Sequence, residues 1–199
     1  MPRFTSLLAV LSLVPVAAFA QESSADTSHF RAGQWGLQFG TSGVSLVNLG
    51  ILRFTSPRAA WMLLLDFNGE FLNGTQTSLG TTSDQNSRMV DLGVGLGKRF
   101  YQAPRDKVRS FQSIGVAASY SDNKQTLGGT TFKVNQSRAG VLGELGAGYW
   151  VTPNLSLGGT ASVFGGYSHR STEQSTTQSS EDGWVVSGVN VLLVVGLYF

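Results

Sequence analysis

The sequence predicts an all-β chain: an eight-stranded, antiparallel, up-and-down transmembrane β-barrel. Three observations predict it. Apolar residues recur at every second position over long stretches, the connections alternate between short and long, and the chain opens on a secretory signal. Composition agrees. Charged residues make up 13% of the 199 residues, where an ordinary soluble domain has about 25%, and glycine is abundant at 25 residues.

The signal is "MPRFTSLLAVLSLVPVAAFAQ". It has a basic start at Arg3, an apolar core from Leu7 to Phe19, and small residues at Ala18 and Ala20. Cleavage is expected after Ala20, so residues 1–20 are lost and the mature chain carries 13 basic against 12 acidic residues. The apolar core is too short for a membrane-spanning helix, which needs ~20 residues. Residues 21–32 are polar and read as a flexible periplasmic leader, with His29 solvated inside it. The barrel is assigned to residues 33–199.

Eight strands are expected, at roughly 33–41, 44–54, 60–71, 88–101, 108–121, 138–151, 154–168 and 184–199. The second, "VSLVNLGILRF", is apolar at both parities, so its register stays open. In the third, Trp61, Leu63, Leu65, Phe67 and Phe71 oppose Asp66, Asn68 and Glu70. In the fourth, Val90, Leu92, Val94, Leu96 and Phe100 oppose Asp91, three glycines and Arg99. In the sixth, Val141, Leu145, Ala147, Tyr149 and Val151 oppose Arg138, Glu144 and more glycine. A soluble sandwich would dress its second face in Lys, Glu and Arg. Glycine and serine with a few charges suit the cramped lumen of a small barrel instead, and closure satisfies every backbone group in lipid.

Short connections hold Pro57, Pro104 and Pro153. Long ones, "NGTQTSLGTTSDQNS", "SDNKQTLGGTTFKVNQS" and "RSTEQSTTQSSEDG", read as mobile extracellular loops; the first hairpin, near Ser42-Gly43, has a short one. Aromatics fall in two bands: Trp35, Phe54, Trp61, Phe100, Tyr149 and Tyr198 on the turn side, Phe71, Tyr120, Tyr167 and Trp184 on the loop side. Parity places Asp66, Glu70, Asp91, Arg99, Arg109, Arg138 and Glu144 in the lumen. Charges there must pair or cost several kcal/mol, so a plug is expected with Glu144, Asp66 and Asp91 facing Arg138 and Arg99. The alternative is a narrow pore for ions or small solutes with these charges as its gate.

The chain ends "VNVLLVVGLYF". With Phe199 facing lipid, Leu197, Val195, Leu193, Val191 and Val189 share its face. This tail resembles the C-terminal sorting signal of bacterial outer-membrane proteins, although Leu197 stands where an aromatic is commoner. The resemblance implies recognition of Phe199, Leu197 and Val195 by the barrel-assembly machinery. Residues 33–199 as a whole resemble the small eight-stranded barrels of the OmpA transmembrane domain, OmpX and opacity-protein type. That implies a monomer in a Gram-negative outer membrane, both ends in the periplasm, set among outer-membrane lipid and lipopolysaccharide. It also implies a surface role of the adhesion or opacity kind, through an extracellular ligand of the loops.

One motif points elsewhere. In "SHRST", His169 and Ser171 share a strand face, with Glu173, Glu181 and Asp182 near in sequence. The spacing is similar to the His-x-Ser of the lipid A deacylases, which implies His169 taking the Ser171 proton and Glu181 orienting the imidazole. The Asn that follows Ser in that family is Thr172 here. Other classes are excluded. There is no cysteine for a disulfide or thiolate metal site, and two histidines with dispersed acids form no metal cluster. No cofactor is implied: the glycines of "DLGVGLGKR" alternate along a strand and open no phosphate-cradling loop. A net charge of +2 with scattered basic residues does not suit nucleic acid.

Overall fold

The computed structural model describes residues 30–41, 46–78, 81–103, 107–127, 130–174 and 177–199. The segments read as signal peptide and as leader up to His29, together with Pro104 and the Ser42-Gly43 turn, lie outside the described residues. Eight strands follow in chain order: β1 (Trp35–Thr41), β2 (Leu46–Ser56), β3 (Ala59–Ser78), β4 (Thr81–Tyr101), β5 (Val108–Leu127), β6 (Thr130–Thr152), β7 (Leu155–Gln174) and β8 (Thr177–Tyr198). Each pairs antiparallel with the next, and β1 pairs with β8 to close the barrel.

The polar stretches read as mobile loops are strand over most of their length. β3 and β4 pair out to Ser78↔Thr81, β5 and β6 to Leu127↔Thr130, and β7 and β8 to Gln174↔Thr177. Ser and Thr show no apolar alternation, so the periodic signal ends where lipid ends. The ladder does not, because threonine suits an extended, half-exposed backbone and each strand already has its partner in register. The β1–β2 hairpin is the exception. Among the described residues it pairs no further out than Thr41↔Val47, and β1 meets β8 from Gly36↔Tyr198 to Thr41↔Leu193. The wall is therefore low there, and β3 beyond Asn68 has no described partner on that side.

The lipid face is apolar around the ring. Leu193, Val116, Leu145 and Phe67 are more than half exposed, a continuous surface that no soluble monomer carries. On β8 the face changes parity. Ser162 pairs with Asn190 but Phe164 with Ser187, a bulge with one extra residue in β8. Below it Phe199, Leu197, Val195, Leu193 and Val191 point out; above it Val186 and Trp184 do, at 80% and 87% exposure. The predicted alternation ran on to Val189, whose side chain is outside the described residues.

Inside, glycine makes room for rings. Tyr198 lies across Gly36 and Gly196, where an added Cβ would meet its ring at 2.9 Å and its hydroxyl at 2.7 Å. Phe54 and Tyr198, assigned by sequence to the turn-side band, are in fact turned inward and buried. Trp35, Trp61 and Tyr149 do face out, each with a cation over the ring: Arg53, Lys98 and Lys107 at 5.2, 6.0 and 5.9 Å. Cation and ring together suit a lipid headgroup boundary.

Candidate functional site

The lumen is built in layers from the turn side outward. The lowest is aromatic. Phe30 stacks on Phe54 with centroids 4.1 Å apart and touches Tyr101, Tyr198 and Trp150 at 5.0, 5.1 and 5.7 Å. Phe30 belongs to the segment read as leader, yet it is only 1% exposed. Gly33 allows this: at φ 86° it occupies the left-handed region and donates its N–H to the Phe54 carbonyl at 2.8 Å, turning the chain back under the barrel. Arg109 is buried in this layer, its guanidinium 4.8 Å from the Phe30 ring and 5.7 Å from Trp150.

Above the rings lies a polar floor. Arg99 donates from Nη2 to Glu144 Oε2 at 2.6 Å, from Nε to Ser113 Oγ at 2.9 Å, and from Nη1 to Gln38 Oε1. Ser113 Oγ in turn donates to Glu144 Oε2 at 2.9 Å, and Phe111 lies 4.0 Å under the guanidinium. Arg99 and Glu144 are 1% and 8% exposed. A buried pair persists only when its remaining hydrogen-bonding capacity is met, which Ser113 and Gln38 accomplish here.

Beyond the floor the lumen widens to a cavity of about 500 Å³, with Glu144, Leu64, Leu142 and Leu192 toward its base. Asp66, Asp91 and Arg138 line it. Of the predicted charges, the structure brings Arg99 and Glu144 together. It does not pair the rest: among the described residues, no ion pair joins Asp66 or Asp91 to Arg138. Asp66 accepts from Asn48 Nδ2 at 2.6 Å, Asp91 from Asn68 Nδ2 at 3.0 Å, and Arg138 donates to Gln136 Oε1 at 3.0 Å. Glu70 is exposed, further out on the same face of β3.

On the outer surface, His169 Nδ1 meets Asp182 Oδ1 at 2.7 Å, just beyond the ring pair Tyr167–Trp184. The acid beside the imidazole is Asp182, not Glu181. Glu181 is opposite Arg170 in the ladder, and alternation puts it on the other face of β8. Ser171 shares the face of His169 one pleat further out and pairs in the ladder with Ser180, and no bond joins it to the imidazole. The hydrogen bond from His169 holds the Asp182 carboxyl below the ordinary carboxylate range.

Sequence reasoning missed Phe30, Gln38, Ser113, Asn48 and Gln136, and placed Asn68 on the lumen face without its bond to Asp91. Ser113 was within reach, since it continues the parity of Arg109 and Phe111. Phe30 gave no signal, because it precedes the first strand and no period includes it.

No family model and no curated protein matches the chain. Among solved structures it is similar to a major outer membrane protein from Thermus thermophilus, with TM-score 0.54 and 15% identity over 83% of this chain and 99% of that one. It also aligns with the attachment invasion locus protein Ail of Yersinia pestis, with TM-score 0.43 and 13% identity over 83% and 94% of the two chains. The outer membrane protein AlkL, solved by solid-state NMR in lipid bilayers, aligns at TM-score 0.48 and 11% identity over 90% and 96%. The fold is that of the small outer-membrane β-barrels: all-β, eight antiparallel strands, closed, with an apolar belt made for a bilayer.

Proposed function

We propose that this protein resides in a bacterial outer membrane as a closed barrel and acts at the cell surface through its three tall hairpins, in a structural or surface-interaction role. The observation that supports this reading is the buried Arg99–Glu144 pair above the Phe30 aromatic layer. An eight-stranded ring leaves an interior just wide enough for side chains to fill, and these two successive layers support a closed base to the lumen. The hairpins lift Ser, Thr, Gln and Gly beyond the aromatic band, where they offer hydrogen bonds to a ligand outside the cell. The outward tail of Phe199, Leu197 and Val195 supports recognition by the assembly machinery, and the apolar belt supports contact with outer-membrane lipid and lipopolysaccharide, as a monomer.

Planar-bilayer recording tests the reading. The wild-type protein gives no discrete conductance, and Glu144→Gln leaves the record flat. Resolved single-channel steps in the wild type, altered by Glu144→Gln, would favour the pore instead. The hydrolase reading is not supported by the site, where among the described residues no hydrogen bond joins Ser171 to His169.

A further inference from the structure

The two halves of the lumen treat charge differently. In the floor, a cation and an anion neutralise each other. In the cavity above, Asp66, Asp91 and Arg138 are each steadied by a neutral amide and, among the described residues, by no opposite charge. Gln136 is itself anchored, donating from Nε2 to Ser168 Oγ at 2.9 Å, so the Arg138 support is a chain of two bonds. The charges are also separated in space. Asp66 shares a ladder row with Gly93, Ser119 and Arg138, which puts the carboxylate on β3 and the guanidinium on β6. Three strand positions in a ring of eight is almost opposite.

Two polar atoms near these groups are buried without a partner: Asn68 Oδ1, an acceptor beside Asp91, and Arg138 Nε, a donor. The acceptor wall thus lacks a donor and the donor wall lacks an acceptor. Between them the lining is apolar at Leu64, Leu142 and Phe164. A volume of about 500 Å³ falls within the usual size of small-molecule sites, where an apolar lining and a few fixed polar groups set orientation.

We propose that the outer half of the lumen is a binding cup for a small zwitterionic solute with an apolar body. Its ammonium end sits at Asp66 and Asp91, and its carboxylate end at Arg138. Held amides pre-orient the three charged groups, so little side-chain freedom is lost on binding. The cup depends on the closed floor beneath it and not on whether the hairpins bind anything.

The test is titration calorimetry on the folded protein in a non-ionic detergent at low ionic strength. The probes are 6-aminohexanoate, hexylammonium and hexanoate, which share one body and differ in their charged ends. Saturable binding of 6-aminohexanoate is expected, at least tenfold tighter than either single-charge probe and weakened by added salt. Asp66→Asn with Asp91→Asn lowers affinity for the two amines tenfold or more and spares hexanoate. Arg138→Gln does the reverse, weakening 6-aminohexanoate and hexanoate only. The selectivity of the wild type needs no variant, so a misfolded substitution leaves the test intact. No saturable heat, or the same affinity for all three probes, would overturn the cup. Conductance is read separately, so an open pore and an empty cup are told apart.

Discussion

Arg99 on β4 and Glu144 on β6, both buried, meet at 2.6 Å across the barrel interior. Everything above it is cavity and everything below it is ring. Removing one partner leaves the other charge buried without its counter-ion. Arg99→Met should lower unfolding stability by about 3–5 kcal/mol, whereas Arg99→Met with Glu144→Leu should recover most of that loss. Urea titration of refolded barrels in lipid, read by tryptophan fluorescence and by the gel shift between unheated and boiled samples, checks both variants.

Phe30 contributes to the lower layer from outside the strands. Phe30→Ala removes a ring 1% exposed and in contact with four others, so a loss of about 3–5 kcal/mol is expected in the same titration. If residue 30 were part of a solvated leader, the substitution would be neutral.

Glycines on the two faces should behave oppositely. A Cβ at Gly140 would strike the Gly165 carbonyl oxygen and come within 2.5 Å of Gly166 Cα. At Gly165 the added atom would meet nothing within 4 Å. Gly140→Val is expected to abolish the heat-dependent gel shift, and Gly165→Ala to leave it unchanged.

The Asp182 carboxyl is held low by its hydrogen bond from His169. A depressed folded value means that the contact stabilises the hairpin above the ordinary carboxylate range and is lost as pH falls through the lowered value. Carboxyl NMR of the folded protein should show Asp182 titrating below a free aspartate, and His169→Ala should return it toward the ordinary range. An unshifted Asp182 in the parent would remove the basis for this contact.

Much of the fold was legible because a bilayer and a narrow lumen impose a strict two-residue period. Leu63, Leu65 and Phe67 had to face lipid, and Arg99 and Glu144 had to face in. What the period could not report was anything that breaks or outlasts it. The bulge between Ser187 and Asn190 silently exchanged the faces of β8, so Val186 and Trp184 carry on the belt that Val191 began. Beyond the belt, polar residues alternate with polar residues, and hairpin and loop look alike. The aromatic band was read by height alone, which does not distinguish rings turned inward, such as Phe54 and Tyr198, from rings facing out at the same height, such as Trp61 and Tyr149. The lumen charges were identified by face but not by partner, since partnership depends on which strand is across the ring.

The low wall at β1 and β2 gives the molecule two architectures in one chain. At membrane height it is a ring, and a ring has no edges. Further out, among the described residues, it is a six-stranded open sheet from β3 to β8, its first and last strands without a described neighbour on their outer margins. Such a sheet obeys the rules of open sheets, and its free margins are templates for any passing strand. The margin of β3 reads "NGTQTS" and that of β8 "TQSSEDG": short on apolar side chains, interrupted by Gly74 and Gly183, and charged at Glu181 and Asp182. These are the means by which solitary sheets avoid zipping together, and they guard the margins of this crown against pairing with a further strand.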